Sequence, residues 1–335
     1  SISSRCASSS LVRRMRAAGL LEISVIAAIA VILAFWLGYS TNRSGTCVVA
    51  AAHEIVHRRR ARRVIGLTVA SLAAGLVAVP LAWSPVGSVL EGSTDLSITL
   101  VIGGVAFGLG ALINDACLLG SLGRLGNGES RLLALPLGLT AGFLVTFGLY
   151  QPKPQSFPSI LSTPSTTTAV ILATFLVALV LLIALIFRNA MKEAGTQTAM
   201  ISMIVLGITG GALYALMPAW AYADLILASL PLGLDRTRGA AVTTVLAAVA
   251  GAVVSAHRKR TWRPRGASPR QLAQTFAGGA LMGAGTALIP GGNDSLILAA
   301  IPALSLSGIV AYVVMFIVIA IGLATTRNKA APVAS

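Results

Sequence analysis

The stretch GGVAFGLGALINDACLLGSLGRLGNG, Gly103 to Gly128, decides how this chain is read. It is apolar enough to enter a bilayer, yet glycines and the polar pair Asn114-Asp115 interrupt it. In lipid, non-helical backbone survives only where it is buried in protein or lines a cavity, so the stretch reads as a broken or re-entrant segment. Asp115 is costly there unless paired or hydrated. A second stretch, GGALMGAGTALIPGGND at 278–294, repeats the pattern. Gly103-Gly104-x-x-x-Gly108-x-Gly110 returns as Gly278-Gly279-x-x-x-Gly283-x-Gly285, an offset of 278 − 103 = 175. Tyr39 and Tyr214 share that offset, 214 − 39 = 175. Asn114-Asp115 pairs with Asn293-Asp294 if Pro290-Gly291-Gly292 is an insertion in the second copy.

Composition agrees with a membrane setting. Of 335 residues, 56% are apolar and only 10% charged, against roughly 25% charged in a soluble domain. Mean hydropathy is +0.86. Runs long enough to cross about 30 Å of hydrocarbon as helix lie at 20–39, 64–83, 132–149, 168–187, 198–217, 239–256 and 307–324. Shorter apolar pieces lie between them at 47–57, 97–122, 219–234 and 272–304. The expectation is an all-α, polytopic membrane protein with an inverted-topology repeat and short broken or re-entrant helices.

The expected divisions are a basic tail at 1–14 that need not be native (Met15 is a candidate start), then a first transmembrane repeat at 15–150. A Pro/Ser-rich linker follows at 151–167, a connecting helix at 168–189, a second repeat at 190–326 and a tail at 327–335. Charge supplies the geometry. The chain carries 25 Lys and Arg against 10 Asp and Glu, a net +15. The basic residues cluster beside membrane spans, where they set orientation rather than grip nucleic acid. Span 64–83 has its cluster (Arg58, Arg59, Arg60, Arg62, Arg63) at its start. Its repeat partner 239–256 has its cluster (Arg258, Lys259, Arg260, Arg263, Arg265) at its end. With both clusters in the cytoplasm, the two spans run in opposite directions, as in inverted-repeat transporters. Arg188 and Lys192 then fall on the outer side and oppose the rule.

In such transporters, interrupted segments at matching positions of the two halves point to the binding site. Candidate substrate contacts are therefore Cys47, Cys117, Asn114, Asp115, Gly120, Gly291, Gly292, Asn293 and Asp294. Gly103, Gly104, Gly278 and Gly279 read as close-packing glycines, whereas buried Asn-Asp pairs have no packing rationale. Asp115 or Asp294 is also a candidate proton or cation site. Cys47 and Cys117 each open a re-entrant-like piece of the repeat, while Cys6 lies in the tail and receives no role.

Three stretches together resemble the YeeE/YedE family of sulfur-transport membrane proteins: GTCVVAAAHEIVHRRRARR at 45–63, FGLGALINDACLLGSLGRLGNGE at 107–129 and GGALMGAGTALIPGGND at 278–294. The resemblance runs from about 20 to 325. It implies an hourglass-shaped importer of the bacterial inner membrane for thiosulfate or a related sulfur species, whose cysteines line a constriction and pass the ion along by weak S–H···S hydrogen bonds. Cys47 and Cys117 match two of the family's cysteines. The cysteine of the second Gly-rich segment has no counterpart, since the run reads Pro290-Gly291-Gly292-Asn293-Asp294.

Two other classes compete. His53-Glu54-Ile55-Val56-His57 is an H-E-x-x-H, which on a helix places two imidazoles for zinc and a glutamate as base. A catalytic zinc needs a third protein ligand, and the remaining histidine, His257, closes a distant span beside Arg258. The alternative is a non-transporting anchor for a sulfur-handling partner protein. No G-x-x-x-x-G-K-[ST] occurs, so ATP-driven transport by this chain alone is not expected. The expectation is a transporter for a small anionic sulfur solute, not an enzyme, with no metal or cofactor.

Overall fold

The computed structural model describes residues 24–85, 87–150, 156–190, 194–220, 226 and 236–329. Residues 1–14, the core of the 219–234 piece and Lys192 lie outside the described residues. Helix dominates: α1 (24–44), α2 (Val48–Arg58), α3 (Arg62–Ala82), α4 (Ile98–Asn114), α5 (Leu118–Gly126), α6 (Leu135–Leu149), α7 (Thr166–Ala190) and α8 (Ala194–Leu216). The series ends with α9 (Arg236–Arg258), α10 (Pro269–Thr286) and α11 (Leu306–Lys329). A short helix Asn293–Ser295 runs on into a π turn, Leu296–Ala300. Among the described residues, eight segments are long and apolar enough to cross a membrane. The protein is all-α and polytopic.

Local chemistry explains the boundaries. Ser97 caps α4 by accepting from the Leu100 N–H, and Ser268 with Gln271 closes a capping box before Pro269 at the head of α10, the residue types helix starts favour. Asp115 ends α4 in the left-handed conformation, φ 56°. The apolar stretch at 97–122 is thus a 17-residue helix, a break, and a second helix that begins inside the protein. On α7 only 11% of the apolar window is buried by protein, so most of its Val, Leu and Ile side chains face lipid, while Leu179 joins the core.

The two ends of the molecule differ. At one end, the basic face, Arg63 donates to the Gly45 carbonyl, Lys259 Nζ to the Asn42 carbonyl, and the Arg263 and Arg265 N–H groups to Asn127 and Gly128. At the other, the ribbon face, Ser93–Thr94 pairs antiparallel with Ser156–Phe157, and Ser93, Thr94 and Gly92 bond to residues 305–307 at the start of α11. Both arginine clusters therefore lie on one face, although α3 starts there and α9 ends there. Lys259, on that face, is held below the usual lysine range by partial desolvation and by the charge of Arg43.

The halves meet with two-fold character. A Cβ on Gly103 would fall 3.0 Å from the Gly285 carbonyl oxygen, and one on Gly285 would fall 2.6 Å from that of Gly103. Gly110 and Gly278 are reciprocal in the same way, at 2.6 and 2.8 Å. Since 278 = 103 + 175 and 285 = 110 + 175, contact i with j′ is matched by j with i′, the mark of a two-fold interface. These glycines let α4 and α10 approach backbone to backbone, as small-residue packing in membranes requires. A second close helix pair, α3 with α8, has a different relation. Gly66, α3's contact with Met203, and Gly207 and Gly211, α8's contacts with Ala70 and Ala74, run in parallel register.

That parallel register corrects one expectation. Because α8 starts beside the start of α3, and α7 leaves the ribbon face, Arg188 at the end of α7 falls on the basic face with the other clusters. It obeys the charge rule.

Candidate functional site

Cysteines hold the N-cap positions of two short helices that start inside the protein. Cys47 precedes α2 and Cys117 precedes α5, both with extended backbone. A capping side chain takes up a helix's first N–H groups, and sulfur is a weak acceptor in that place. Cys117 Sγ accepts from the Gly120 N–H at 3.4 Å and from the Val48 N–H, the first of α2, also at 3.4 Å. Its thiol donates to Cys47 Sγ at 3.6 Å. Two helix N-termini thus converge on one pair of free thiols, with their partial positive charge directed at it. Gly120 permits the approach: a Cβ there would sit 2.6 Å from Cys47 Sγ and 3.5 Å from Cys117 Sγ.

A cavity of about 710 Å³ leads from the basic face to Cys47 and Gly120. Arg58, Arg60, Arg62, Arg63 and Arg124 line it, with the thioethers of Met200 and Met203 on α8. Thr46, one residue before Cys47, donates to Met203 Sδ at 3.4 Å. Cys117 lies behind Cys47 and is fully buried. On the ribbon side a small cavity of about 30 Å³ lies against Glu91, Tyr214 and Ala303.

The second half approaches the thiols from the ribbon side. Gly291 takes the left-handed conformation, φ 76°, and Gly292 caps the short helix at 293–295 as Cys117 caps α5. The two caps differ by 292 − 117 = 175, so the repeat register continues without a gap. This revises the expected pairing of Asn114-Asp115 with Asn293-Asp294 across an insertion. The structural counterpart of Asn293 is Leu118, and the two touch: Leu118 N–H donates to Asn293 Oδ1 at 3.1 Å. Asn293 Nδ2 and Asp294 Oδ1 are buried with no hydrogen-bond partner among the described residues.

Asn114 and Asp115 fall elsewhere. Asn114 is fully buried and donates to the Ala116 carbonyl and to Ser121 Oγ, while Arg131 donates to its carbonyl and to Thr275. With its polar groups engaged, it locks the break between α4 and α5. Asp115 is on the cavity wall, 65% exposed and paired with Arg124 at 2.8 Å. The structure thus brings Cys47, Cys117, Gly120, Gly292, Asn293 and Asp294 together and leaves Asn114 and Asp115 to one side. Sequence reading missed the backbone N–H of Val48 and the thioethers of Met200 and Met203. The methionines had a faint signal in their i, i+3 spacing; the amide had none.

His53 and His57 stack at 4.2 Å on the basic-face half of α2. Among the described residues no group of three His, Cys, Asp or Glu side chains comes close enough to hold a metal. Glu54 instead accepts from the Arg63 backbone N–H and pairs with its guanidinium.

Multi-pass helices, two inverted halves and a buried thiol pair at the end of an arginine-lined cavity define a membrane transporter. Residues 43–321 match the model of the sulphur transport (YeeE/YedE) family, and the chain belongs to that family. It is a membrane sulfur transporter. No curated protein matches the chain.

Proposed function

We propose that the protein imports a small sulfur-containing anion such as thiosulfate from the ribbon face to the basic face, and that Cys117 and Cys47 hand it through the waist. The basic face is then cytoplasmic by the positive-inside rule, in a bacterial inner membrane. The observation that carries this reading is the 3.6 Å thiol pair gripped by the N–H groups of α2 and α5. N–H groups at helix starts attract an anion. Thiols are weak donors that suit a soft terminal sulfur better than a strongly hydrated oxyanion. Weak, successive contacts also let an ion leave again. Beyond Cys47 the arginines draw the anion inward, to a mouth where a sulfur-handling partner protein would collect it.

Uptake of labelled thiosulfate into proteoliposomes tests the reading. Cys117→Ala is expected to lose uptake and His53→Ala to retain it. Wild-type protein that takes up no thiosulfate would remove the substrate. Loss of uptake in His53→Ala with zinc-dependent hydrolysis would instead revive the protease.

A further inference from the structure

The two helix caps at the waist are equivalent in position and opposite in chemistry. Cys117 puts a thiol at the cap of α5; Gly292, 175 residues on, puts nothing. The vacant volume is filled by a neighbour. A Cβ built on Gly292 would fall 2.6 Å from Asp294 Oδ1 and 2.5 Å from Leu118 Cδ1. The Asp294 carboxylate therefore occupies the place where the second half would carry its thiol. Gly292 offers no capping side chain, so the carboxylate lies beside the open start of the short helix 293–295. Its Oδ1 has no hydrogen-bond partner among the described residues, and the side chain is 3% exposed.

Among the described residues, no compensating cation faces it. From α5 the nearest titratable group is Cys117, since Arg124 at the far end of that helix is paired with Asp115. From α8 the Tyr214 side chain faces Asp294 and also lines the small ribbon-side cavity. Between Val64 and Ala82, α3 carries no charged or titratable residue, and between Leu306 and Thr326, α11 carries only Tyr312. The π turn Leu296–Ala300 is wholly apolar. A bare carboxylate in this setting repels an approaching anion strongly, because the low dielectric leaves the repulsion unscreened.

We propose that Asp294 is a proton-dependent gate on the ribbon side of the waist, and that an anion passes it only while the carboxyl holds a proton taken from the ribbon-side solution. The proton enters past Tyr214 and makes the O–H bond on Asp294; losing it to the same solution closes the gate. No other bond is made or broken. The protonated form adds an O–H donor to the two thiols, so three neutral donors face the anion. The assignment rests on the transport reading above, and the test separates the two.

In proteoliposomes oriented with the ribbon face outward, initial thiosulfate uptake is measured against external pH at fixed internal pH. Wild-type uptake is expected to fall about tenfold per pH unit once the carboxyl is mostly ionised, the slope of a single titrating group. Asp294→Asn, neutral at every pH, is expected to lose that slope and Asp294→Glu to keep it. An unchanged slope in Asp294→Asn overturns the gate. Should wild type carry no thiosulfate, the substrate reading falls, and the gate is judged by infrared difference spectra of the purified protein across pH. A protonated-carboxyl C=O band that titrates and disappears in Asp294→Asn upholds it; a wild-type spectrum without such a band overturns it.

Discussion

The break after α4 and the break after α10 occupy the same register of one repeat, yet each is stabilised by different means. After α4, Asn114 holds the turn through Ala116 and Ser121, Arg131 clamps it, and Cys117 caps the next helix with sulfur. After α10, the left-handed Gly291 makes the turn, Gly292 brings no side chain, and Asp294 folds back over the cap. The first break spends its polar side chains on structure and leaves a thiol for the substrate. The second leaves polar atoms unengaged, which in a buried site is a cost that function has to justify. Backbone symmetry therefore does not carry side-chain equivalence with it.

The symmetric part of this comparison should be the most sensitive to change. Gly110→Val and Gly278→Val each drive a side chain into the opposite backbone, and overpacking of this kind costs about 3 kcal/mol. Because the contacts are reciprocal, the two variants should lower the unfolding midpoint in detergent by similar amounts. A clearly tolerant member of the pair would break the two-fold reading. Next, Asn293→Ala strips the Leu118 N–H of its acceptor, a loss of about 2 kcal/mol for a buried orphaned donor. A denaturant series that shows no loss would mean the α5 start finds another partner.

The asymmetric part is sharpened by putting the thiol back. Gly292 has φ −77°, extended backbone that any residue adopts, so Gly292→Cys meets only side-chain ends at Leu118 and Asp294. It should fold with a stability loss of about 1 kcal/mol, and Asp294→Ser in the same chain should recover most of it. A Gly292→Cys chain that fails to fold in both backgrounds would show that more than the Asp294 side chain excludes a thiol there. The smallest effect is expected for Asp115→Asn. Its ion pair with Arg124 is solvent-exposed, and such pairs contribute roughly 0–1 kcal/mol. Stability and uptake should stay close to wild type; a large loss of uptake would move Asp115 into the pathway.

Much of this was legible in the chain. The glycine pattern at 103–110 and 278–285 announced a repeat, because only glycine lets two helix backbones touch, and the arginine clusters announced its inversion. Cys47 and Cys117 stood out as thiols opening interrupted segments. The Asn-Asp pairs misled: identical residue types suggested equivalent positions, but register follows the helix caps, and those align Leu118 with Asn293. Arg188 misled for a related reason, since the direction of α7 and α8 depends on packing against α3, which no local pattern encodes.

Sequence by itself determined the membrane class, the helices, the halves and the face that carries the arginines, because hydropathy, glycine spacing and charge act locally or sum along the chain. Only the tertiary structure decided that Cys47 and Cys117 meet across 70 residues at 3.6 Å, that Asn114 is occupied, and that Asp294 fills the space above Gly292. Those depend on which helix starts converge in three dimensions. A buried polar group's role is set by the partners it meets there, not by its neighbours in the chain.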